Sequence, residues 1–362
     1  MNIQKKLSRL GIEKIEELDK KDVNYLAHYM ANCMTNTFLT MQDYYNEILA
    51  KLLNCTMYYA KILGNVAKVN YIYEDNCIYI DENINIYEPN EELFHELIHY
   101  LQVFRKNNGK IKHIGLCNFG DFSVKGLGLN EALVQYMSAS LMKKEKQSTR
   151  IYGLELKTIS PDAYPVLTNL MEQLVYLIGE DEILLASINA KNNFDDVFYN
   201  TFEEKGNQII KAFDKILDLK NKLLEAKEGI YKKETPQEIE ASICYMYVNT
   251  QKIMLTKYFD KMVTMLTSIQ EIDFYIEKFL NFNKILGILE KNREEVLDFY
   301  EEYKDEIMKK FDKRLMKLSK DKGKNTLSEY NNILGRFIKR AFHKSSFWKN
   351  ILLLILEYKY QK

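Results

Sequence analysis

The feature that most restricts the fold of this chain is the spacing of its apolar residues, which recur at helical intervals through most of its length. The segment FLTMQDYYNEILAKLL, residues 38–53, shows the pattern, with apolar residues three or four positions apart. Such spacing places them on one face of an α-helix. Residues that break helices are scarce, since the 362 residues include only four prolines and fourteen glycines. The sequence therefore predicts a mainly α fold.

One segment departs from this spacing. Residues 66–87, VAKVNYIYEDNCIYIDENINIY, are rich in β-branched and aromatic residues and are interrupted by EDN, which favours a small β-hairpin or sheet. Helices are predicted on both sides, with two or three of them before this segment. Three regions follow as a prediction: an N-terminal helical region (1–65), a core that contains the β segment (66–200) and a helical C-terminal domain (201–362).

Charge and cysteine content exclude some classes of protein. The 51 basic and 51 acidic residues give a formal net charge of zero, which argues against a nucleic-acid-binding protein. The five cysteines are scattered and form no CxxC pair, as is typical of a reducing compartment. The first residues contain no apolar signal segment, and the longest apolar run, ILLLILEY from Ile351, is shorter than the roughly 18–20 residues that span a bilayer. We expect a cytoplasmic protein without a transmembrane segment, although leaderless export gives the same pattern.

Two of the five histidines stand four residues apart in FHELIHYLQ, residues 94–102. On a helix, His95 and His99 lie on one face with Cβ atoms roughly 5–6 Å apart, so both imidazoles can reach one Zn²⁺ ion at about 2.0–2.1 Å. Glu96 is one position further round the helix, where it can act as a general base without ligating the metal. This HExxH motif predicts a hydrolytic zinc site. The alternative is two surface histidines beside a solvated glutamate.

A catalytic zinc site needs a third protein ligand and an open position. The metzincin pattern would place glycine at 102 and histidine at 105, but Gln102 and Arg105 exclude it. Glu131, in GLGLNEALVQYMSA, stands at the start of a second predicted helix, after a glycine-rich loop that lets this helix fold back against the first. It is the predicted third ligand. Asp121 and His113, both in the preceding loop, are the alternatives.

The HExxH motif followed by a helical NExx segment resembles the gluzincin group of zinc metallopeptidases, which have the thermolysin-like arrangement. The resemblance covers less than a quarter of the chain. The resemblance implies three zinc ligands, His95, His99 and Glu131. It also implies Glu96 as the catalytic base and a zincin-like core. Thermolysin-type sequences carry an aspartate four residues after the ligand glutamate, whereas this chain has Gln135. The group that would orient a zinc-bound histidine is therefore unassigned, and a divergent gluzincin family is implied.

Hydrolysis of a peptide bond at such a site needs a second group to stabilise the negative charge that develops on the carbonyl oxygen, usually a Tyr, His or Arg. Tyr152 and Tyr164 are the candidates, because both follow the start of the ligand helix. Tyr136 is rotated away from the ligand face and is expected in the core. An extended peptide can pair with the edge of the strand CIYIDENI, which lies just before the HExxH helix. We therefore expect a zinc metallopeptidase that acts on a peptide or protein.

The C-terminal region is basic, with thirteen Lys or Arg against three acids between residues 309 and 349. Such charges most often pair or stay solvated, but they can also bind a partner or an anionic surface. Two alternative functions follow. One is a catalytically idle zinc-binding helical protein that binds a partner, against which the intact Glu96 argues. The other is a leaderless effector or toxin that contacts a membrane through its basic C-terminus.

Overall fold

The computed structural model describes residues 3–64, 67–119, 124–188, 194–286 and 293–322. It contains 66% helix and 15% strand, so the predicted mainly α fold with small sheets is confirmed. The helices are α1 (Ile3–Arg9), α2 (Lys20–Thr37), α3 (Tyr45–Leu53), α4 (Glu91–Gln102), α5 (Leu127–Leu141), α6 (Pro165–Ile178), α7 (Glu180–Ile188), α8 (Phe194–Phe202), α9 (Gly206–Lys227), α10 (Pro236–Met265), α11 (Ile269–Leu286) and α12 (Arg293–Lys322). The strands are β1 (Ile12–Glu17), β2 (Thr56–Ile62), β3 (Val69–Ile72), β4 (Cys77–Asp81), β5 (Val103–Arg105), β6 (Ile111–Ile114), β7 (Asn118–Phe119), β8 (Val124–Lys125), β9 (Gln147–Ile151) and β10 (Leu154–Thr158).

The chain forms two compact units. The first comprises Met1–Met254 and Leu286–Glu294, and the second comprises Leu255–Ile285 and Glu295–Lys362. The three predicted regions stay a prediction. Among the described residues, none of the helices is both long and apolar enough to cross a membrane. Most of the basic C-terminal segment lies beyond residue 322, outside the described residues.

The largest sheet of the first unit has four strands in the order β1-β2-β4-β3. Strands β3 and β4 form the hairpin that the sequence predicts, with Tyr71 opposite Ile78. On its other side β4 pairs in parallel with β2. Because β4 has partners on both sides, the prediction that its edge is available to a peptide is wrong. In the described part of the chain the strand at this edge of the sheet is β3.

The N-terminal region contains two strands where we predicted only helices. Strand β1 has the sequence IEKIEE, whose glutamates and lysine favour a helix when taken alone. It pairs antiparallel with β2, placing Ile12 opposite Ile62, and both residues are buried in one apolar cluster. Strand pairing and burial therefore override the local helical preference.

Helix α4, which carries the HExxH motif, is fixed at both ends. At its start the Asn90 side chain accepts a hydrogen bond from Leu93 N at 2.9 Å, the usual role of an N-cap asparagine. At its end the Lys51 ammonium donates to Leu101 O at 2.6 Å and to Val103 O at 2.7 Å. Burial lowers the pKa of Lys51 to about 8. One carbonyl in the last turn of the helix and one just after its end are thus satisfied by a half-buried side chain from α3.

We expect Lys51→Met to lower the free energy of unfolding by about 2–3 kcal/mol, because each buried carbonyl left without a donor costs about 1–3 kcal/mol. Denaturant unfolding measures the change. Lys61→Met, at an exposed position of β2, is the matched control and should change stability by less than about 0.5 kcal/mol. Equal stability of the two variants would show that Lys51 does not stabilise the end of α4.

Helix α5 packs against α4 on one side and against α9 on another. Its first turn is held by the Asp214 carboxylate of α9, which accepts hydrogen bonds from Gly126 N at 2.9 Å and Gly128 N at 2.8 Å. A Cβ atom at Gly128 would lie 2.2 Å from Phe213 O, so only glycine permits this approach of the two backbones. These contacts set the position of Glu131, one turn further along α5.

Candidate metal centre

The side chains of His95, His99 and Glu131 converge between α4 and α5. The two histidine Nε2 atoms lie 3.1 Å apart. The Glu131 carboxylate places Oε1 3.0 Å from His95 Nε2 and Oε2 3.3 Å from His99 Nε2. Among the described residues these three form the one group of His, Cys, Asp or Glu side chains arranged to hold a metal ion.

The geometry of this cluster fits a zinc ion. Ligand atoms about 2.0–2.1 Å from zinc, at tetrahedral angles, are about 3.3–3.4 Å apart. The observed separations of 3.0–3.3 Å need only a small expansion to reach these values. Two imidazoles and one carboxylate are also a donor set of catalytic zinc sites, which keep a fourth position for water or substrate.

Gln135 occupies the position whose role was left unassigned in the sequence. Its Nε2 donates to Glu91 Oε1 at 2.9 Å and to Ser160 Oγ at 2.8 Å. These bonds fix the amide orientation, so that Oε1 faces His95 Nδ1 at 3.0 Å and must accept its proton. A proton on Nδ1 directs the lone pair of the neutral ring at Nε2 toward the cluster. The amide oxygen thus does what an aspartate would do, without a second negative charge.

His99 is oriented by a residue from another element. Its Nδ1 lies 3.1 Å from the Tyr73 hydroxyl, and the two rings meet edge to face with centroids 6.2 Å apart. When Nδ1 donates to the phenol oxygen, Nε2 of the neutral ring is left for the metal. Tyr73 stands just after β3, so the hairpin positions the second histidine.

We expect Gln135→Leu to lower zinc affinity by about 10–100-fold, the usual effect of removing a partner that orients a metal-binding histidine. Competition with a chromophoric chelator measures the affinity. Gln147→Leu, at an exposed position of β9, is the control and should bind zinc like the wild type. An unchanged affinity in Gln135→Leu would mean that His95 is not oriented through this amide.

The charges of the cluster are strongly coupled. Burial lowers the pKa of His95, but the charge and hydrogen bond of Glu131, with smaller effects of Glu96 and Gln135, outweigh burial and raise it to about 9. Burial raises the pKa of Glu131, yet the two histidines hold it well below its ordinary value. These interactions favour the protonated form of His95, and a metal ion that binds Nε2 would displace that proton.

Glu96 lies beside the cluster and is not one of the converging ligands. Its Oε2 accepts a hydrogen bond from Tyr71 N of β3 at 2.8 Å. Burial raises the pKa of Glu96, against the lowering effects of His99, His95 and this hydrogen bond. A carboxylate whose pKa is raised above its ordinary value takes up a proton more readily than an exposed one, as a general base must.

The cluster opens into a cleft of about 810 Å³. Tyr164 lines the cleft, with its ring nearly parallel to that of His95, centroids 6.4 Å apart. Its backbone is left-handed, with φ 49°, a conformation uncommon for a bulky residue and often found at functional sites. Burial, followed by the charge of Glu131 and a hydrogen bond to it, raises the pKa of Tyr164. The phenol therefore stays protonated and is a hydrogen-bond donor at the cleft wall.

The other candidates from the sequence lie elsewhere. Tyr152 is in the turn between β9 and β10 and is not among the described residues that line the cleft. The Tyr136 hydroxyl donates to Glu180 Oε1 at 2.6 Å, away from the ligands. His113 is on β6, opposite Phe104 of β5, and is not part of the cluster. Asp121 lies outside the described residues.

Sequence reasoning missed Tyr73 and Lys220, which line the same cleft. Tyr73 reaches His99 from the hairpin, and Lys220 reaches the cleft from α9. Each comes from an element far from the motif in sequence, so no spacing rule links it to the ligands. The one available signal for Lys220 is helical spacing on α9, where it falls three residues after Leu217, another cleft residue.

Comparisons of this chain with protein-family models, with curated proteins and with solved structures gave no match.

Proposed function

We propose that this protein is a zinc-dependent metallopeptidase of gluzincin type, with a zincin-like core. The observation that carries the proposal is the convergence of His95 Nε2, His99 Nε2 and the Glu131 carboxylate within 3.0–3.3 Å at the base of an open cleft. The catalytic base of the motif, Glu96, is intact beside them.

A zinc ion in this cluster would act as a Lewis acid and lower the pKa of a water molecule to about 7. The proton transfers and the stabilisation of the substrate oxygen are carried out by side chains of the protein. Because Tyr71 N occupies Oε2 of Glu96, Oε1 is the atom left to take a proton from the attacking water. The same carboxyl group can then pass that proton to the leaving amine.

Tyr164 is the side chain best placed to stabilise the carbonyl oxygen of the substrate. Its phenol stays protonated beside Glu131 and lines the cleft, so it can donate a hydrogen bond to a substrate oxygen. Such a donor contributes most where charge develops in the transition state. Tyr152, which does not line the cleft in the described part of the chain, is not assigned this role.

The two alternative functions have less support. An idle zinc-binding protein has no need of a glutamate at the base position of the motif or of an open cleft at the ligands, and both are present. The effector alternative rests on the basic segment 309–349, most of whose length lies beyond residue 322, outside the described residues.

The proposal is tested by stripping the full chain with a chelator and titrating zinc back during cleavage of a fluorogenic peptide library. Activity should be absent without metal and should reach its maximum at one zinc per chain. Full activity in the stripped protein, or stoichiometric zinc binding without cleavage of any library member, would contradict it.

A further inference from the structure

Lys220 presents an ammonium group to the cleft from α9. The nitrogen lies 3.4 Å from the centroid of the Tyr164 ring, and the residue is half-buried. In the part of the chain that the structure describes, no carboxylate lies within ion-pair distance of it. Burial lowers the pKa of Lys220, while the more distant Glu131 raises it. The ring face partly compensates the charge, and the N–H donors still face the cleft.

The charges of the cleft leave one favourable place for an anionic substrate group away from the metal ligands. Lys220 is the sole Lys or Arg among the described residues that line the cleft, whereas five carboxylates line it. One of them, Glu91, is paired with Lys144. The remaining carboxylates repel an anion, so a negatively charged group of a bound molecule is directed to Lys220.

Apolar side chains line the same cleft as this ammonium. Leu217 stands three residues before Lys220, on the same face of α9, and also lines the cleft. Leu127 and Val124, at and just before the start of α5, line it too and are 50% and 38% exposed. Ile111 and Ile114 of β6 also line the cleft. Exposed apolar side chains in a cleft are typical of a binding surface.

We propose that Lys220 binds the α-carboxylate of a peptide substrate whose C-terminal residue is apolar, so that the protein acts as a carboxypeptidase. This inference rests on the proposed metallopeptidase function and assigns its substrate class. A C-terminal apolar residue can contact both the Lys220 ammonium and the apolar lining, because its carboxylate and its side chain are attached to the same Cα. An internal acidic side chain would satisfy the ammonium alone.

The reaction releases the terminal amino acid by hydrolysis. The water oxygen forms a bond with the carbonyl carbon of the last peptide bond, and the C–N bond breaks. Glu96 transfers a proton from the water to the leaving amine. Lys220 takes no part in bond making and determines which peptide bond is presented.

The test measures binding separately from turnover, in the zinc-loaded Glu96→Gln protein. Three peptides of one sequence are compared by titration calorimetry: one ending in leucine with a free carboxylate, its C-terminal amide, and an amide with a glutamate before the leucine. We expect the free acid to bind at least about tenfold more tightly than either amide, the size of a hydrogen bond to a charged group. Lys220→Met should abolish the difference, and Lys220→Arg should retain most of it.

Lys211→Met, at an exposed position of the same helix, is the matched control and should keep the preference for the free acid. Equal binding of acid and amide overturns the inference. So does a preference that persists in Lys220→Met, since the metal itself would then hold the carboxylate. Tighter binding of the glutamate-containing amide than of the free acid overturns it as well.

Turnover by the zinc-loaded wild type distinguishes the metallopeptidase function from the more specific carboxypeptidase assignment. Release of leucine from the free acid, and not from the amide, supports both. Cleavage at internal bonds alone overturns the carboxypeptidase assignment and leaves the metallopeptidase function standing. Failure to cleave any peptide overturns the metallopeptidase function, while the binding comparison still decides whether Lys220 recognises a carboxylate.

Discussion

Glu96→Gln is expected to lower the rate of peptide cleavage by at least about 100-fold while zinc affinity stays close to that of the wild type. General base catalysis contributes about 10²–10⁴-fold, and glutamine cannot accept the proton. The amide oxygen can still accept the hydrogen bond that Tyr71 N donates to Oε2, so the fold around β3 is preserved. Initial rates on a fluorogenic peptide, with zinc affinity measured in parallel, give both quantities.

The matched control for this change is Glu47→Gln, at an exposed position of α3, which should cleave at the wild-type rate. If Glu96→Gln retained a rate within a few-fold of the wild type, another group would have to be the base. If instead it lost both activity and zinc, Glu96 would be needed to hold the site together, and its assignment as base would lose its support.

Glu131→Ala is expected to abolish the stabilisation that zinc gives to the wild-type protein. Zinc at 100 times its dissociation constant adds about 2.7 kcal/mol to the free energy of unfolding, which thermal unfolding detects as a shift of several degrees. The variant retains both histidines but lacks the carboxylate that lies 3.0 Å from His95 Nε2 and 3.3 Å from His99 Nε2. Two neutral imidazoles alone bind zinc too weakly to produce the shift.

Glu131→Gln keeps the side-chain volume, so it shows whether the effect comes from the lost carboxylate ligand or from a change in the packing of the site. It should also show a much smaller zinc-induced shift. Glu145→Ala, at an exposed position just after α5, is the control and should show the wild-type shift. A full shift in both Glu131 variants would place the zinc ion elsewhere in the protein.

The HExxH site was predictable because its geometry is local. Four residues of helix bring His95 and His99 onto one face, and the nearby glycine-rich loop allows α5 to fold back with Glu131. The structure brings these three side chains together as the sequence suggested. The metal and the peptidase activity stay predictions.

The surroundings of the site could not be predicted, because they depend on tertiary contacts. In the sequence, Gln135 stands where thermolysin-type proteins have an aspartate, which left the partner of the zinc-bound histidine unassigned. In the structure, the hydrogen bonds of Gln135 to Glu91 and Ser160 orient its amide oxygen toward His95. Tyr73 follows β3 and Lys220 is on α9, and no local pattern connects either of them to the motif. The composition of β1 favoured a helix, and only its pairing with β2 makes it a strand.

The measurement that tests the central claim most directly is a mass-spectrometric comparison of the termini produced from a diverse, denatured peptide pool. The zinc-loaded protein and the same preparation after removal of zinc are incubated with the pool side by side. We predict new termini with the zinc-loaded protein alone, which disappear on removal of zinc and return when zinc is restored. Identical termini in the two samples, or none in either with zinc bound in full, would contradict the assignment of this protein as a zinc metallopeptidase.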